Sequence, residues 1–202
     1  MKVFIDLFSG LGGASVAFDR SPDWVVLKFD NNPELIEHNR GLTLLDLSDL
    51  DTSMHTIRLM LHEINERYCG IHKLVIWASP PCNEFSFANA NRPENPSTVL
   101  IENAFEIIQQ LDPDYWLVEN VHGAKRTFTE ILDRSVSQEI GPIVLWGHFP
   151  LIPIRTRDTW RHRKLEAKGS RALRANNRAL IPEPVSEGLY DAIEHQQTLF
   201  DY

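Results

Sequence analysis

The sequence predicts an α/β protein built on one doubly wound, mainly parallel sheet. Two observations predict it. Short apolar runs alternate along the chain with segments whose apolar residues recur every three or four positions. Chemically versatile residues gather just after those runs, where ligands bind in sheets of this kind. At 202 residues the chain suits a single domain spanning 1–202, since domains usually hold about 100 to 200 residues.

Residues 3–8 (VFIDLF) read as a buried strand, and residues 14–20 as the start of a helix after a glycine turn. Residues 24–29 form a second strand that ends in Asp30-Asn31-Asn32-Pro33, where Asn32 can cap a helix whose first position is Pro33. Residues 42–45 give a short third strand. Met54, Ile57, Leu61, Ile64 and Tyr68 then share one helical face. Residues 74–78 (LVIWA) are a fourth strand, and Ser97 is placed as the cap of a helix that turns Leu100, Ala104, Ile108 and Leu111 inward. Residues 115–118 are a fifth strand. Residues 143–146 and a segment near Thr159 add the last strands, and residues 185–196 a closing helix. There is no internal repeat and no low-complexity tract.

Composition narrows the function classes. With 43% hydrophobic and 24% charged residues the chain has the profile of a globular protein rather than a disordered one. Asp6 interrupts the stretch that a signal peptide needs, and no run approaches the roughly 20 apolar residues of a membrane span; a cytoplasmic protein with no membrane partner is expected. The two cysteines, Cys69 and Cys82, make no disulfide framework and lack the paired spacing of a zinc site. No metal is expected, and one cysteine is available for its reactivity. The net charge of −8 is unevenly spread: residues 155–178 hold nine Lys or Arg against Asp158 and Glu166, a local +7 on a remainder of −15. Such a segment is either a phosphate-contacting strip on an acidic body or a solvated loop, and charge alone favours neither.

Four strand ends carry candidate chemistry. The first is Asp6-Leu7-Phe8-Ser9-Gly10-Leu11-Gly12-Gly13, where glycines let the backbone pass close to a ligand and expose helix N-terminal amides. A dinucleotide fingerprint would need a further glycine where Ser15 stands, so a nicotinamide-dependent oxidoreductase is disfavoured. The second is Asp30, which can accept hydrogen bonds from both hydroxyls of a ribose or simply cap a turn. The third is Ser79-Pro80-Pro81-Cys82, in which two prolines fix the backbone and present the next side chain. A thiolate is the strongest common side-chain nucleophile, although a lone cysteine is more often a small core residue. Cys69, at a helix end beside Gly70, has no such setting. The fourth is Glu119-Asn120, where desolvation can raise a carboxyl until it donates a proton near neutral pH, or where the acid merely ends a strand.

Together, Phe8-Ser9-Gly10-Leu11-Gly12-Gly13, the Pro80-Pro81-Cys82 loop with Phe85-Ser86, and Glu119-Asn120-Val121 resemble, in order, the three most specific motifs of the DNA cytosine-5 methyltransferases. Arg155-Thr156-Arg157 is similar to that family's arginine motif, and the resemblance covers most of residues 3–160. It implies a Rossmann-like methyltransferase fold, S-adenosylmethionine as methyl donor, and a cytosine of nucleic acid, DNA first, as acceptor. The implied cofactor contacts are Asp6, Phe8, Gly10, Gly12, Gly13, Asp30, Asn31, Asp46 and Pro80. In the implied chemistry the Cys82 sulfur adds to carbon 6 of the base, Glu119 protonates or hydrogen-bonds ring nitrogen 3, and Arg157, with Arg155, holds the base carbonyl oxygen.

The departures bear on the substrate. Asn83-Glu84 stands where the family usually has Gln-Gly, Pro153 replaces the glutamine that opens the arginine motif, and Leu180-Ile181-Pro182 matches the family's last motif poorly. The basic segment 155–180 stands in place of a target-recognition domain, so the chain resembles compact, phage-type members. Weak sequence specificity is expected, or dependence on a second copy, a partner protein or a single-stranded substrate. An RNA or free-nucleotide cytosine as acceptor, and a catalytically silent accessory subunit, are the alternatives.

Overall fold

A computed structural model describes residues 1–154 and 171–195 of the chain. Each predicted apolar run becomes a strand: β1 (Lys2–Leu7), β2 (Trp24–Asp30), β3 (Leu42–Leu44), β4 (Lys73–Ala78), β5 (Tyr115–Val121) and β7 (Ile143–His148), with β6 (Gln138–Ile140) added between the last two in sequence. The helices are α1 (Val16–Asp19), α2 (Leu50–Tyr68), α3 (Val99–Leu111), α4 (Lys125–Leu132), α5 (Arg171–Ala179) and α6 (Glu183–Glu194). The sheet order is β3-β2-β1-β4-β5-β7-β6. All pairs from β3 to β5 are parallel, and β7 enters antiparallel between β5 and β6.

Strand periodicity builds two cores. In β1, Val3, Ile5 and Leu7 face α2, α3 and α4, while Phe4 faces α1 and α6. On the first side Phe128 of α4 sits against Phe85 (ring centroids 5.2 Å apart) and Trp146 (5.4 Å). On the second, Phe18 of α1 stacks on Phe4 at 4.1 Å and meets Tyr190 of α6 edge-on. Ser186 Oγ of α6 ties that helix to the start of α1 by donating to the Ala14 carbonyl at 2.7 Å and accepting from the Ala17 amide at 3.1 Å.

Several boundaries differ from the sequence reading for local reasons. The helix expected after Asn32 closes as a single 3-10 turn, Pro33–Leu35, although Asn32 does accept from the Glu34 amide at 3.1 Å. The cap of α3 is Thr98, not Ser97, because the Ser97 amide is drawn to the Glu84 carboxylate at 2.6 Å. The buried face of α3 accordingly turns to Ile101, Ala104, Ile107 and Ile108, leaving Leu100 and Leu111 half-buried. On α2, Met54, Ile57 and Ile64 are buried but Tyr68, in the last turn, is exposed. Helix α4, strand β6 and helix α5 are elements that the sequence reading does not contain, and the strand expected near Thr159 lies outside the described residues.

Phe128 is fully buried and joins the helical layer to both the sheet and residue 85. Truncation to Ala is expected to cost about 3–5 kcal/mol, read as a lowered urea midpoint at unchanged m-value.

Candidate active site

Strand order reverses between β1 and β4, so their carboxyl ends diverge and open a crevice. Register places the candidate residues around it. Leu7 pairs with Ala78, and Ala78 with Val118; Phe8, Ser79 and Glu119 therefore lie at one level on three neighbouring strands. The Ser79 amide still donates to the Leu7 carbonyl at 3.1 Å, and the Ser9 amide to Phe29 at 2.9 Å.

Strand β4 stops at Ala78 while β5 continues to Val121, held on its far side by β7 through Glu119–Leu145, Asn120–Val144 and Val121–Ile143. Glu119 and Asn120 are thus the final part of the strand rather than residues following it, as the sequence suggested. The near side of that overhang is filled by the cysteine loop. Asn120, fully buried, donates from Nδ2 to the Pro80 carbonyl at 2.9 Å. Just beyond, Gly123 lets the Phe85 carbonyl lie so close that a Cβ there would sit 1.9 Å from that oxygen. The loop is further pinned by Phe85 in the core and by Asn89 Nδ2 donating to the Asn83 carbonyl at 2.8 Å. A cavity of about 180 Å³ lies beneath it, lined by Pro80, Pro81, Phe85, Leu100, Ile101 and Phe128 among others.

Cys82, half-buried, is brought beside Glu119. Burial and the Glu119 carboxylate push the Cys82 thiol up, and its own backbone amide and the Arg178 guanidinium pull it partly back. Glu119 is raised by burial to about 7, against a hydrogen bond from Ser79. Ser79 Oγ also accepts from the Trp77 indole at 2.5 Å. Cys69, by contrast, is exposed in the left-handed cap of α2, far from this edge.

The glycine turn forms the other wall. Phe8 holds φ +60, a left-handed conformation unusual for an aromatic residue and characteristic of strained functional turns. Asp30 accepts from the Gly10 amide through one oxygen and from the Asn32 amide through the other, both at 3.0 Å. Asn31 is exposed next to it, and Asp46, at the end of β3, is held ionised below the usual carboxylate range by the Ser48 amide and hydroxyl, with Asn31 also contributing. Asp6 is placed differently: it is 1% exposed and turns under the loop, accepting from Ser15 Oγ at 2.7 Å, and burial raises it to about 7. Through Ser15, whose hydroxyl also reaches the Gly12 carbonyl at 3.3 Å, it braces the glycine turn. Asn39 was not legible in the sequence; buried, it clamps the turn by donating to Ser9 Oγ and the Gly10 carbonyl, both at 3.0 Å. Pro80 is buried between the two walls. At Gly13 the Ile181 carbonyl comes so near that a Cβ would lie 2.4 Å from it, which seats residues 180–181 against the loop despite their poor match to any motif. Arg155 and Arg157 lie outside the described residues. Among the described residues no group of three or more metal-ligating side chains converges, and no helix is long and apolar enough to cross a membrane.

The donor set at the ends of β1, β2 and β3 is one of backbone amides and carboxylates: Gly10, Asp30, Asn31 and Asp46. It suits a cationic nucleoside, with acids for sugar hydroxyls and for a purine amino group, beside a thiol rather than a phosphate cradle. The strand order, reversed at β1 and β4 and closed by an antiparallel β7 between β5 and β6, is the Rossmann-like fold of the S-adenosylmethionine-dependent methyltransferases. The chain belongs to the C-5 cytosine-specific DNA methylase family, whose profile matches residues 2–138. It is 28% identical over 141 residues to the Type II methyltransferase M1.HphI of Haemophilus parahaemolyticus, covering 65% of this chain and 37% of that one. To the Type II methyltransferase M.HgiGI of Herpetosiphon aurantiacus it is 26% identical over 126 residues, covering 60% and 91%. A solved methyltransferase of Entamoeba histolytica, EhMeth, superposes with a TM-score of 0.49 at 17% identity over 77% of this chain and 55% of that one.

The raised Glu119 carboxyl links folding to pH. The folded protein keeps a proton that the unfolded chain releases near the usual 4.5, so this contribution to stability is complete below 4.5 and is lost as pH rises through about 7. Glu119→Gln is therefore expected to exceed the wild type in stability by on the order of 2 kcal/mol at pH 8, with the gap narrowing toward pH 5 in urea titrations.

Proposed function

We propose that the protein transfers a methyl group to carbon 5 of cytosine in DNA, with Cys82 as nucleophile and Glu119 as proton donor. The observation that carries this reading is the meeting of Cys82 and Glu119 at one sheet edge beside the glycine turn. Asp30, Asn31 and Asp46 with the backbone of Phe8, Gly10, Gly12 and Gly13 would hold S-adenosylmethionine, with Pro80 closing the side toward the thiol. That cofactor, when bound, supplies the electrophilic methyl group.

The residues of the chain do the rest. Carbon 5 of cytosine is a weak nucleophile until a bond from sulfur to carbon 6 pushes electron density into the ring. The thiol must lose its proton for this, and the Glu119 carboxylate opposes that loss. A proton on Glu119 removes the opposition, so the arrangement that favours attack, thiolate with carboxylic acid, is also the one that can deliver a proton to ring nitrogen 3. Ser79, bonded to the Trp77 indole, orients the carboxyl. After carbon 5 has gained the methyl group, its proton leaves to solvent and the pair it leaves re-forms the carbon 5–carbon 6 double bond; the carbon 6–sulfur bond breaks with its electron pair returning to Cys82, and ring nitrogen 3 gives its proton back to Glu119. Arg155 and Arg157 would pair with the base carbonyl oxygen.

The basic segment 155–180 stands where the family carries a target-recognition domain, which favours low sequence selectivity or a second copy or partner protein to supply it. The substrate setting is cytoplasmic DNA. Incubation with S-adenosylmethionine and 5-fluorocytosine DNA is expected to trap a covalent adduct that survives denaturation and vanishes in Cys82→Ala. Glu119→Gln should slow its formation by about 10²–10⁴-fold, and the wild-type rate should fall as pH rises above 7, where Glu119 gives up its proton. Adduct with tRNA or free nucleotide alone, or with none of them, would overturn the assignment.

A further inference from the structure

Helix α5 was not visible as an element in the sequence, and its placement gives one basic residue a defined position. The stretch 176–181 is seated on the glycine turn at two points. Asn176 Oδ1 lies 2.8 Å from where a Gly10 side chain would begin, and the Ile181 backbone meets Gly13. Helix α5 also packs on the turn Pro33–Leu35 that follows Asp30. Arg178 falls between the two anchor points, in the last turn of α5, where a cation is favoured by the helix dipole. Its side chain is exposed. Its charge is nevertheless felt at Cys82, whose thiol it lowers. Held between contacts to Gly10 and Gly13, it stands exposed on the glycine-turn side of the crevice.

Resting on the reading of the protein as a DNA cytosine methyltransferase, we infer that Arg178 clamps a backbone phosphate flanking the extruded cytosine. A base that reaches Cys82 must draw its own sugar and phosphates through the mouth of the crevice, because a phosphate is only one sugar away from its base. Acids flank the nucleophile: Glu84 of the cysteine loop is exposed, and the Glu119 carboxylate acts on Cys82. A guanidinium, with its planar fork of donors, is the side chain best suited to grip a phosphate in that field. Contacts of this kind fix register without reading sequence, and they help offset the few kcal/mol, roughly, that extrusion of a base costs. Because α5 rests on Gly10 and Gly13, the clamp is aligned with the wall that would hold the cofactor.

The test uses 5-fluorocytosine duplexes in which the phosphate on the 5′ or the 3′ side of the target is a neutral methylphosphonate. Wild type, Arg178→Gln and Arg178→Lys are compared for adduct yield and DNA affinity. On ordinary DNA the Gln variant should bind at least about tenfold more weakly, lower the log–log salt slope by about one, and be partly rescued by Lys. One of the two methylphosphonates should weaken the wild type by the same factor and leave Arg178→Gln unaffected. Equal sensitivity of wild type and Arg178→Gln to both methylphosphonates would overturn the clamp while leaving the methyltransferase reading intact. Absence of any wild-type adduct on ordinary DNA would sink that reading, and the clamp with it.

Discussion

One buried hydrogen bond, from Asn120 Nδ2 to the Pro80 carbonyl at 2.9 Å, fixes the relation on which the site depends. Strand β5 outruns β4 by three residues, so its last amides and carbonyls would face an empty half of the sheet. The cysteine loop fills that half, and the fully buried Asn120 side chain replaces the missing strand pairing with a single directed contact. An unpaired amide there would cost about 1–3 kcal/mol, which makes the loop position a requirement of the fold and not of the chemistry alone. The same overhang carries Glu119 to the level of Ser79 and hence to Cys82.

The electrostatics of the crevice follow from what is buried and what is bonded. Asp6 and Glu119 lie on adjacent sides of the strand reversal and both titrate near 7, in each case because burial outweighs a single hydroxyl donor, Ser15 or Ser79. Asp46, with open solvent and two bonds from Ser48, goes the other way. Three carboxyls thus divide into an ionised acid at the rim, a protonatable acid beside a thiol, and a protonatable acid that props up a backbone turn. Lys28, almost fully buried, offsets this density of acids by pairing with Asp19 and donating to the Arg40 carbonyl at 3.1 Å.

Both loops that bound the crevice are pinned by contacts to the body of the fold. The glycine turn is held from below by Asp6 and Ser15, from the side by Asn39, and from above by Ile181. The cysteine loop is anchored at Pro80, Phe85 and Asn89, while Phe87 at its tip remains 72% exposed with Arg92 over its ring. The walls of the crevice are therefore fixed, and the adaptable surface lies at its rim.

The sequence by itself determined the strands, the order of the chemical motifs and the identity of Cys82 as the candidate nucleophile, because apolar runs and proline- or glycine-marked turns are local signals. It placed Asp30 at the right strand end without showing that its oxygens are taken by Gly10 and Asn32. Asp6, which the motif marks as a cofactor contact, is buried and bonded to Ser15, a placement that adjacency along a motif does not reveal. Asn39 and Asn176 carry no sequence signal, and Ser79 and Arg178 show only as members of the cysteine loop and the basic segment; each acts across 20 residues or more, through contacts that no spacing rule encodes. Strand order, the overhang of β5 and the seating of α5 were decided only in three dimensions, where register rather than sequence distance sets which side chains meet.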